Sequence, residues 1–234
     1  MISFLQIFTD FLFPKICLSC RNKLERKIDV SSNFCCQKCL NSFEIAPSTE
    51  EIENSLITFF QDSLAISRAI ALYASHSEDE NIAIMRLIYK LKYGGFTKIG
   101  TEFGRKLAEV LEKNKMLDYD LIIPVPIHKA RRRERGYNQS DFIANSVGEV
   151  TRKPVAYNII ERKIYTTTQT KLSLENRRKN MQNVFQLKNK SDVQGMKILL
   201  IDDVLTTGST INSCATVLLE NKAKQVDVAT IVKV

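Results

Sequence analysis

The residues with the clearest chemical potential are two adjacent carboxylates followed closely by small, hydroxyl-bearing residues. Asp202 and Asp203 end an apolar stretch, and shortly after them come Thr206, Thr207, Gly208, Ser209 and Thr210. Two carboxylates at the end of a buried strand can accept hydrogen bonds from neighbouring sugar hydroxyls or help to position a cation. Backbone N–H groups and hydroxyls at the start of a helix suit a phosphate. The run therefore predicts a site for a phosphorylated sugar.

A helix after this run is indicated by apolar residues with helical spacing at Ile211, Cys214, Ala215 and Leu218. An ordinary strand-to-helix connection with a good N-cap contains the same residue types, so each half of the run is ambiguous by itself. Two other phosphate-binding motifs, GxxxxGK followed by Ser or Thr and GxGxxG, do not occur in the sequence. A nucleoside triphosphatase or a dinucleotide-binding protein is therefore not supported.

A second group of chemically active residues is a cluster of cysteines near the start of the chain. Five of the six cysteines form two CxxC-type knuckles, which contain Cys17 and Cys20, and then Cys35, Cys36 and Cys39. Two such knuckles supply four thiolates for one tetrahedral zinc ion, in a closed structural site. The x₂ spacing favours Cys17, Cys20, Cys36 and Cys39 as ligands, although Cys35 remains an alternative to Cys36. Reduced cysteines packed in a small core are the other explanation.

Positive charge is concentrated in one part of the chain. The formal net charge is +8, and residues 128–180 contain 13 Lys and Arg against five Asp and Glu, an excess of eight. Five of these cations follow the prolines Pro124 and Pro126 within residues 129–135, a good place to hold a diphosphate. Such a segment suits a pyrophosphate-bearing molecule or a nucleic-acid backbone, and a solvated basic surface is the plain alternative.

The elements that must position these residues alternate between strands and helices. Apolar runs predict strands over 67–74, 121–127, 155–160 and 226–232, and helical spacing predicts helices over 79–92, 98–113 and 140–150. This alternation predicts an α/β fold with a mainly parallel sheet flanked by helices, whose ligands bind at the carboxyl ends of the strands. We expect a four-cysteine zinc module over 1–45, a connector over 46–65 and the main domain over 66–234.

The N-terminal residues 1–13 are apolar but lack a basic start and are too short to cross a bilayer. They predict an amphipathic helix that packs on the protein. No transmembrane segment is expected elsewhere. A cytoplasmic, reducing location follows, in which metal binding by the cysteines is favoured over disulfides.

The pattern of four apolar residues, two acidic residues, an apolar residue, any residue and Thr-Thr-Gly resembles the fingerprint of type I phosphoribosyltransferases. Together with Pro124-Val125-Pro126, the run Arg135-Gly136-Tyr137-Asn138-Gln139 and the leading cysteine knuckles, it makes nearly the whole chain similar to the ComF family. That resemblance implies a type I phosphoribosyltransferase-like fold with a small N-terminal zinc module. It also implies a role in natural competence for DNA uptake, with phosphoribosyl pyrophosphate (PRPP) as the ligand.

The resemblance also implies roles for individual residues. Asp202 and Asp203 are expected to contact the ribose hydroxyls of PRPP, and Thr206 to Thr210 its 5-phosphate. The Mg²⁺-pyrophosphate group is expected on a loop with Pro126, Ile127, His128, Lys129, Arg132 and Arg135. A mobile lid is expected to include Gln169 and Arg177. Catalysis would be transfer of the phosphoribosyl group to an acceptor that the sequence does not name.

A hypothesis from another class is that the protein acts without catalysis, as a factor in transformation that binds single-stranded DNA or DNA-uptake proteins. The basic segment and the zinc module permit this function. Aromatic residues that could stack on bases are sparse in the basic segment, essentially Tyr137, Tyr157 and Tyr165, and the chain has no Trp. The sequence therefore favours a sugar-phosphate site over direct nucleic-acid binding.

Overall fold

A four-stranded parallel sheet forms the centre of the molecule. The computed structural model describes residues 14–24, 34–163, 184–188 and 193–234. In the sheet, strands β1 (Arg68–Ala74), β6 (Gln225–Lys233), β5 (Lys197–Leu205) and β2 (Leu121–Pro124) lie side by side in this order. Strands β3 (Ile160–Arg162) and β4 (Phe185–Leu187) form a separate antiparallel pair. The predicted α/β fold with a mainly parallel sheet is confirmed.

Helices cover both faces of the sheet. Over the described residues they are α1 (Gln37–Asn41), α2 (Thr49–Phe60), α3 (Ala83–Tyr93), α4 (Lys98–Lys113), α5 (Lys129–Arg135), α6 (Gln139–Thr151) and α7 (Ser209–Glu220), with a 3₁₀ turn at Gln61–Ser63. Helices α3, α4 and α6 pack in one core with the cysteine module, and α2 and α7 in the other. Because the sheet is buried on both faces, its central strand β5 has a continuous apolar run rather than an alternating pattern.

Helix α2 (Thr49–Phe60) lies within residues 46–65, which the sequence analysis predicted to be a connector. Ser48 accepts a hydrogen bond from the backbone N–H of Glu51, whose carboxylate accepts one from the backbone of Ser48, so a capping box starts the helix. Its buried residues Ile52, Leu56 and Phe60 lie in the same core as the residues of β5. This stretch therefore supports the sheet directly.

Two predicted strands are shorter than expected, and the prolines explain the second. On the side that faces β5, Val125 N–H still donates to Ile201 O at 2.8 Å, one residue beyond the end of β2. On the opposite side, Pro124 and Pro126 have no N–H to donate, so pairing with the next segment cannot continue. The neighbouring segment pairs with β2 only around Val155, through Ile122 N–H to Pro154 O (2.9 Å) and Ala156 N–H to Ile122 O (2.9 Å). The predicted strand over 155–160 is therefore wrong as a continuous element, and the chain resumes strand structure only at Ile160.

The N-terminal module is joined to the rest by a shared core rather than by a loose linker. Phe34 packs edge-on against Phe103 with ring centroids 5.6 Å apart, and Phe43 packs against Tyr73 at 5.3 Å. Arg86 donates to the backbone oxygens of Ser19 and of Asn81, which ties α3 to the module. Within the described ranges, none of the helices combines the length and apolar character needed to span a bilayer. The helix predicted over 1–13 lies outside the described residues.

Candidate functional site

The carboxylate pair lies at the carboxyl end of β5, between two elements that hold it. Asp202 Oδ1 accepts hydrogen bonds from Ser140 Oγ at 2.8 Å and from the backbone N–H of Asp203 at 2.9 Å. On the other residue, Asp203 Oδ2 lies 3.2 Å from Lys92 Nζ, and the Asp203 side chain is only 4% exposed. Helices α6 and α3 therefore each contribute one side chain to the site.

The surroundings of the carboxylate pair make the protonation state of Asp202 sensitive to a bound ligand. Burial raises the pKa of Asp202 to about 7, and the charge of Asp203 acts in the same direction, while Ser140 and Lys92 oppose it. Burial alone would lower the pKa of Lys92, but the charges of Asp203 and Asp202 raise it, so the amine stays protonated. Hydroxyl donors on a ligand would favour the ionised form of Asp202. The site is thus suited to a polyhydroxylated ligand.

The turn predicted to bind phosphate, residues 206–210, has a backbone conformation that can hold an anion. Gly208 adopts a left-handed conformation with φ of +78°, and helix α7 begins at the next residue. Thr207 Oγ1 lies 2.9 Å from Ser209 Oγ and accepts from the Ser209 N–H at 3.4 Å. The first turn of a helix leaves backbone N–H groups without intrahelical partners, and the helix dipole favours an anion there. Thr206, Thr207, Ser209 and Thr210 are all at least partly accessible.

The predicted pyrophosphate loop is mostly a short helix, which corrects the expectation of an irregular basic loop. His128 Nδ1 accepts the N–H of Ala130 at 3.1 Å and caps α5. Gly136, with φ of +84°, ends the helix in the left-handed conformation. Lys, Arg, Glu and Ala are good helix formers, so the segment between these two caps is helical. Pro126 and Ile127 remain as the linking residues before it.

Two arginines that were predicted to contact the pyrophosphate instead contact other side chains of the protein. Arg132 donates to Asp141 Oδ2 at 3.2 Å, on helix α6. Arg135 lies with its guanidinium 4.7 Å from the ring centroid of Tyr93 and donates to Gln139 Oε1. The structure therefore places these arginines against protein partners. Lys129 also has a protein partner, because its Nζ lies 3.5 Å from Glu161 Oε2, but its side chain is exposed.

Arg162 interacts electrostatically with Asp202, and the sequence analysis did not select it. Burial lowers the pKa of Arg162, at the end of β3, and the charge of Arg131 lowers it further, while Asp202 acts in the opposite direction. Both residues are half-buried. Arg162 and Lys92 thus both interact electrostatically with Asp202, and Arg131 acts on Arg162. Lys92 was likewise missed, because nothing in its local sequence marks its long-range contact with Asp203.

The predicted lid residues Gln169 and Arg177 lie outside the described residues. The described ends of that segment are β3 and β4, which pair antiparallel with Ile160 opposite Leu187 and Arg162 opposite Phe185. The expectation for Gln169 and Arg177 stays a prediction.

The cysteine cluster has the geometry of a four-coordinate metal site. The Sγ atoms of Cys17, Cys20, Cys36 and Cys39 all lie within 4.8 Å of one another, and those of Cys20 and Cys36 are 3.8 Å apart. Tetrahedral zinc with Zn–S bonds of about 2.3 Å places its sulfurs about 3.8 Å apart, so the four thiols fit one ion. The fifth cysteine, Cys35, is outside this group.

Cys17 and Cys35, both fully buried, have different surroundings. Burial alone would raise the pKa of Cys17, but backbone N–H groups of Cys20 and Cys36, each 3.4 Å from its Sγ, help to lower it to about 6. Burial raises the pKa of Cys35 far above the usual range, and the charge of Cys17 adds to this effect. Cys17 thus favours the thiolate that binds metals, and Cys35 the neutral thiol.

A groove of about 870 Å³ runs between the cysteine module and helix α3. Tyr89 and Tyr93 line it with ring centroids 5.8 Å apart, and Phe96 extends the aromatic row. Tyr93 is 66% exposed and Phe96 41%. The groove is also lined by the cationic residues Arg21, Arg86 and Lys90, with Glu80 as an acidic neighbour. The fold thus places an aromatic row beside positive charge, which the basic segment alone did not predict.

Comparison with known proteins connects this architecture to a family. The family model described as "Phosphoribosyl transferase domain" matches residues 135–234, which include the carboxylate pair and the phosphate turn. Competence protein ComFC of Bacillus subtilis is 26% identical over 223 residues, 94% of this chain and 84% of that protein. This chain is a homologue of the ComF proteins. The resemblance inferred from its motifs is therefore confirmed, and the phosphoribosyltransferase-like domain with it.

Two other relatives match a smaller part of the chain. Competence protein F of Haemophilus influenzae is 36% identical over 110 residues, covering 47% of this chain. DNA utilization protein YhgH of Escherichia coli O157:H7 is 36% identical over 146 residues, covering 61%. The matches span 48% and 63% of these two relatives. Among solved structures, the glutamine PRPP amidotransferase from B. subtilis is 18% identical with a TM-score of 0.42, over 61% of this chain and 30% of that one.

Proposed function

We propose that this ComF-family chain binds phosphoribosyl pyrophosphate together with Mg²⁺ at the carboxyl end of β5. The observation that carries the proposal is the junction of Asp202 and Asp203 with the left-handed turn at Gly208, from which helix α7 starts. The carboxylates suit the ribose hydroxyls, and the first turn of α7 suits the 5-phosphate. Arg162, whose charge interacts with that of Asp202, would supply positive charge to the pyrophosphate.

The same arrangement suits phosphoribosyl transfer. Cleavage of the bond between C1 of the ribose and the pyrophosphate oxygen develops positive charge on the sugar and negative charge on the leaving group. Preorganised carboxylates and arginines stabilise these charges, and Lys92 holds Asp203 in place from the opposite side. Mg²⁺ bound together with PRPP would neutralise charge on the diphosphate. No general base is needed for the bond cleavage itself.

Calorimetry with PRPP and Mg²⁺ tests this proposal. We expect saturable binding to the wild-type protein and a loss of at least about 100-fold in the double variant Asp202→Asn/Asp203→Asn, because two charge-assisted hydrogen-bond acceptors are removed. The exposed Asp79→Asn variant provides the matched control and should bind as the wild type does. Absence of saturable heat from the wild-type protein would exclude PRPP as its ligand.

A role in DNA uptake is the biological context that we infer. It is supported by the names of the three relatives described above, two of which refer to competence and one to DNA utilization. A second candidate function, binding of single-stranded DNA, is favoured by the groove along α3. Single-stranded nucleic acids bind where aromatic rings stack on bases beside a positively charged track. Tyr89, Tyr93 and Phe96 supply the rings, and Arg21 and Lys90 supply exposed charge.

The Tyr93→Ala variant separates the two functions. Loss of one stacking ring is worth about 1–3 kcal/mol per base, so affinity for a fluorescent oligo-dT should fall by about 5- to 150-fold in an anisotropy titration at low salt. Tyr157→Ala, which removes another accessible tyrosine outside the groove, should have little effect. DNA binding that is lost only in Asp202→Asn/Asp203→Asn would assign the DNA to the sugar-phosphate site instead.

A further inference from the structure

The α5–α6 junction, residues 135–140, contacts the last turn of helix α3. Tyr137 Oη donates a hydrogen bond to Leu91 O at 2.5 Å, and the guanidinium of Arg135 lies 4.7 Å from the ring centroid of Tyr93. Leu91 O is one of the last four carbonyl oxygens of α3, which an α-helix leaves without intrahelical partners. Tyr137 therefore caps this helix end from another part of the fold.

The chain that follows α3 is intrinsically flexible. Gly94 and Gly95 come directly after the helix, and Gly95 adopts a left-handed conformation with φ of +73°. Glycine restricts the backbone least of all residues, and the terminal turns of helices fray. Contacts from the α5–α6 junction can therefore decide how well the last turn of α3 is ordered.

This last turn carries Lys92, whose amine approaches the carboxylate pair. Lys92 Nζ lies 3.2 Å from Asp203 Oδ2, and the two side chains are 20% and 4% exposed. No hydrogen-bond donor is aligned with Asp203 Oδ2 among the described residues, so the approach of the amine compensates this buried oxygen. A buried carboxylate is costly without a well-placed partner. A shift of the last turn of α3 would therefore disturb Asp203.

The same junction holds the other carboxylate directly. Ser140 Oγ donates to Asp202 Oδ1 at 2.8 Å, and Ser140 is fully buried. Asn138 Nδ2 donates to Val125 O at 3.0 Å, which fixes the junction to the chain just after β2. The junction thus contacts Asp202 by a hydrogen bond and reaches Asp203 through helix α3.

We propose that Tyr137 is a positioning residue for PRPP binding, and that it acts on Asp203 through Lys92 at the end of α3. The stacking of Arg135 on Tyr93 supports the same helix end. This role rests on the proposed function, because it concerns the same ligand and the same carboxylates. A preorganised carboxylate binds the ribose hydroxyls without a cost of reordering. Loss of the Tyr137 hydroxyl should therefore weaken binding even though the carboxylates remain.

Calorimetry with PRPP and Mg²⁺ on the full chain tests this role with two Tyr→Phe variants. Tyr137→Phe should lower PRPP affinity by about 2- to 10-fold, as expected for loss of one hydrogen bond. The matched control is Tyr119→Phe, because Tyr119 is buried, donates to Thr151 Oγ1 at 3.2 Å and precedes β2, at the opposite end of the sheet. The control should lose a comparable amount of stability in urea unfolding but keep the wild-type affinity. Equal affinities of Tyr137→Phe and the wild type would overturn the proposal.

Variants of Lys92 test the path between Tyr137 and the site. Lys92→Met should lower PRPP affinity at least about tenfold, and Lys92→Arg, which keeps the charge, should restore part of it. Lys113→Met, at an exposed position in the last turn of α4, should bind as the wild type does. Tyr137→Phe should have little further effect in the Lys92→Met background, because its hydroxyl acts through the amine. An undiminished effect in that background would refute the path.

Urea unfolding without ligand separates the positioning role from PRPP binding itself. The midpoint changes of Tyr137→Phe and Lys92→Met should be non-additive, because both residues order the same helix end. Should Lys92→Met fail to fold, Lys92→Arg takes its place in the cycle. Non-additive midpoints without PRPP binding by the wild type would exclude PRPP as the ligand and still show that Tyr137 orders Lys92. Additive midpoints would refute the proposed path, whether or not PRPP binds.

Discussion

The Cys36→Ser variant is expected to lose tight zinc binding and to unfold around the N-terminal thiols. A structural zinc site contributes about 10–16 kcal/mol of apparent binding free energy, and that energy is available only when the fold brings all four ligands together. The module shares its core with the sheet through the ring contacts of Phe34 with Phe103 and of Phe43 with Tyr73. Loss of zinc should therefore lower the stability of the main domain as well. Metal analysis after gel filtration and urea unfolding measure the two effects.

The adjacent cysteine provides the control for this prediction. Cys35→Ser should retain one zinc per chain, because Cys35 is not one of the four thiols within 4.8 Å of one another. It should lose only about 1–3 kcal/mol of stability, the cost of burying a hydroxyl that lacks a good partner. The opposite pattern, with zinc retained in Cys36→Ser and lost in Cys35→Ser, would show that the ligand set contains Cys35.

The features that sequence could predict are those encoded by local periodicity. Helix α4 has the predicted bounds because buried residues recur every four positions at Ile99, Phe103, Leu107 and Leu111. The carboxylate pair and the phosphate turn are likewise contiguous in the chain, so their relation was visible before the fold was known. The strand after Pro154 was predicted too long because its length depends on the neighbouring strand β2. Pro124 of β2 has no N–H to donate to this segment, so the pairing stops after Val155.

The features that sequence could not predict depend on contacts between distant segments. Lys92 approaches Asp203 across 111 positions of the chain, and nothing around Lys92 distinguishes it from Lys90, the other lysine of α3. Arg162 interacts electrostatically with Asp202, a residue on another strand, and nothing in its local sequence marks that interaction. The aromatic groove also lay outside the basic segment in which stacking residues were sought. A search restricted to contiguous motifs therefore finds the carboxylate pair and the turn at Gly208, and misses the side chains that surround them.

The Gly208→Ala variant is expected to destabilise the protein by about 2–5 kcal/mol and to weaken PRPP binding. Gly208 has φ of +78°, which costs a residue with a Cβ about 1–2 kcal/mol. An added Cβ would also lie 2.8 Å from Leu56 Cδ2 on helix α2, and overpacking of this kind costs about 1–3 kcal/mol. Urea unfolding should be compared with that of Gly195→Ala, which has φ of +74° but no atom within 4 Å of the added Cβ.

A double-mutant cycle with Leu56→Val separates strain from collision. Shortening Leu56 relieves the close contact, so Gly208→Ala/Leu56→Val should be more stable than the sum of the single changes predicts, by about 1 kcal/mol or more. The left-handed strain remains in the double variant, so PRPP affinity should recover only in part. If Gly208→Ala costs no more than Gly195→Ala and shows no coupling to Leu56, helix α2 does not constrain the turn. If coupling is found, α2 supports the phosphate turn, and the stretch between module and sheet is part of the binding site's framework.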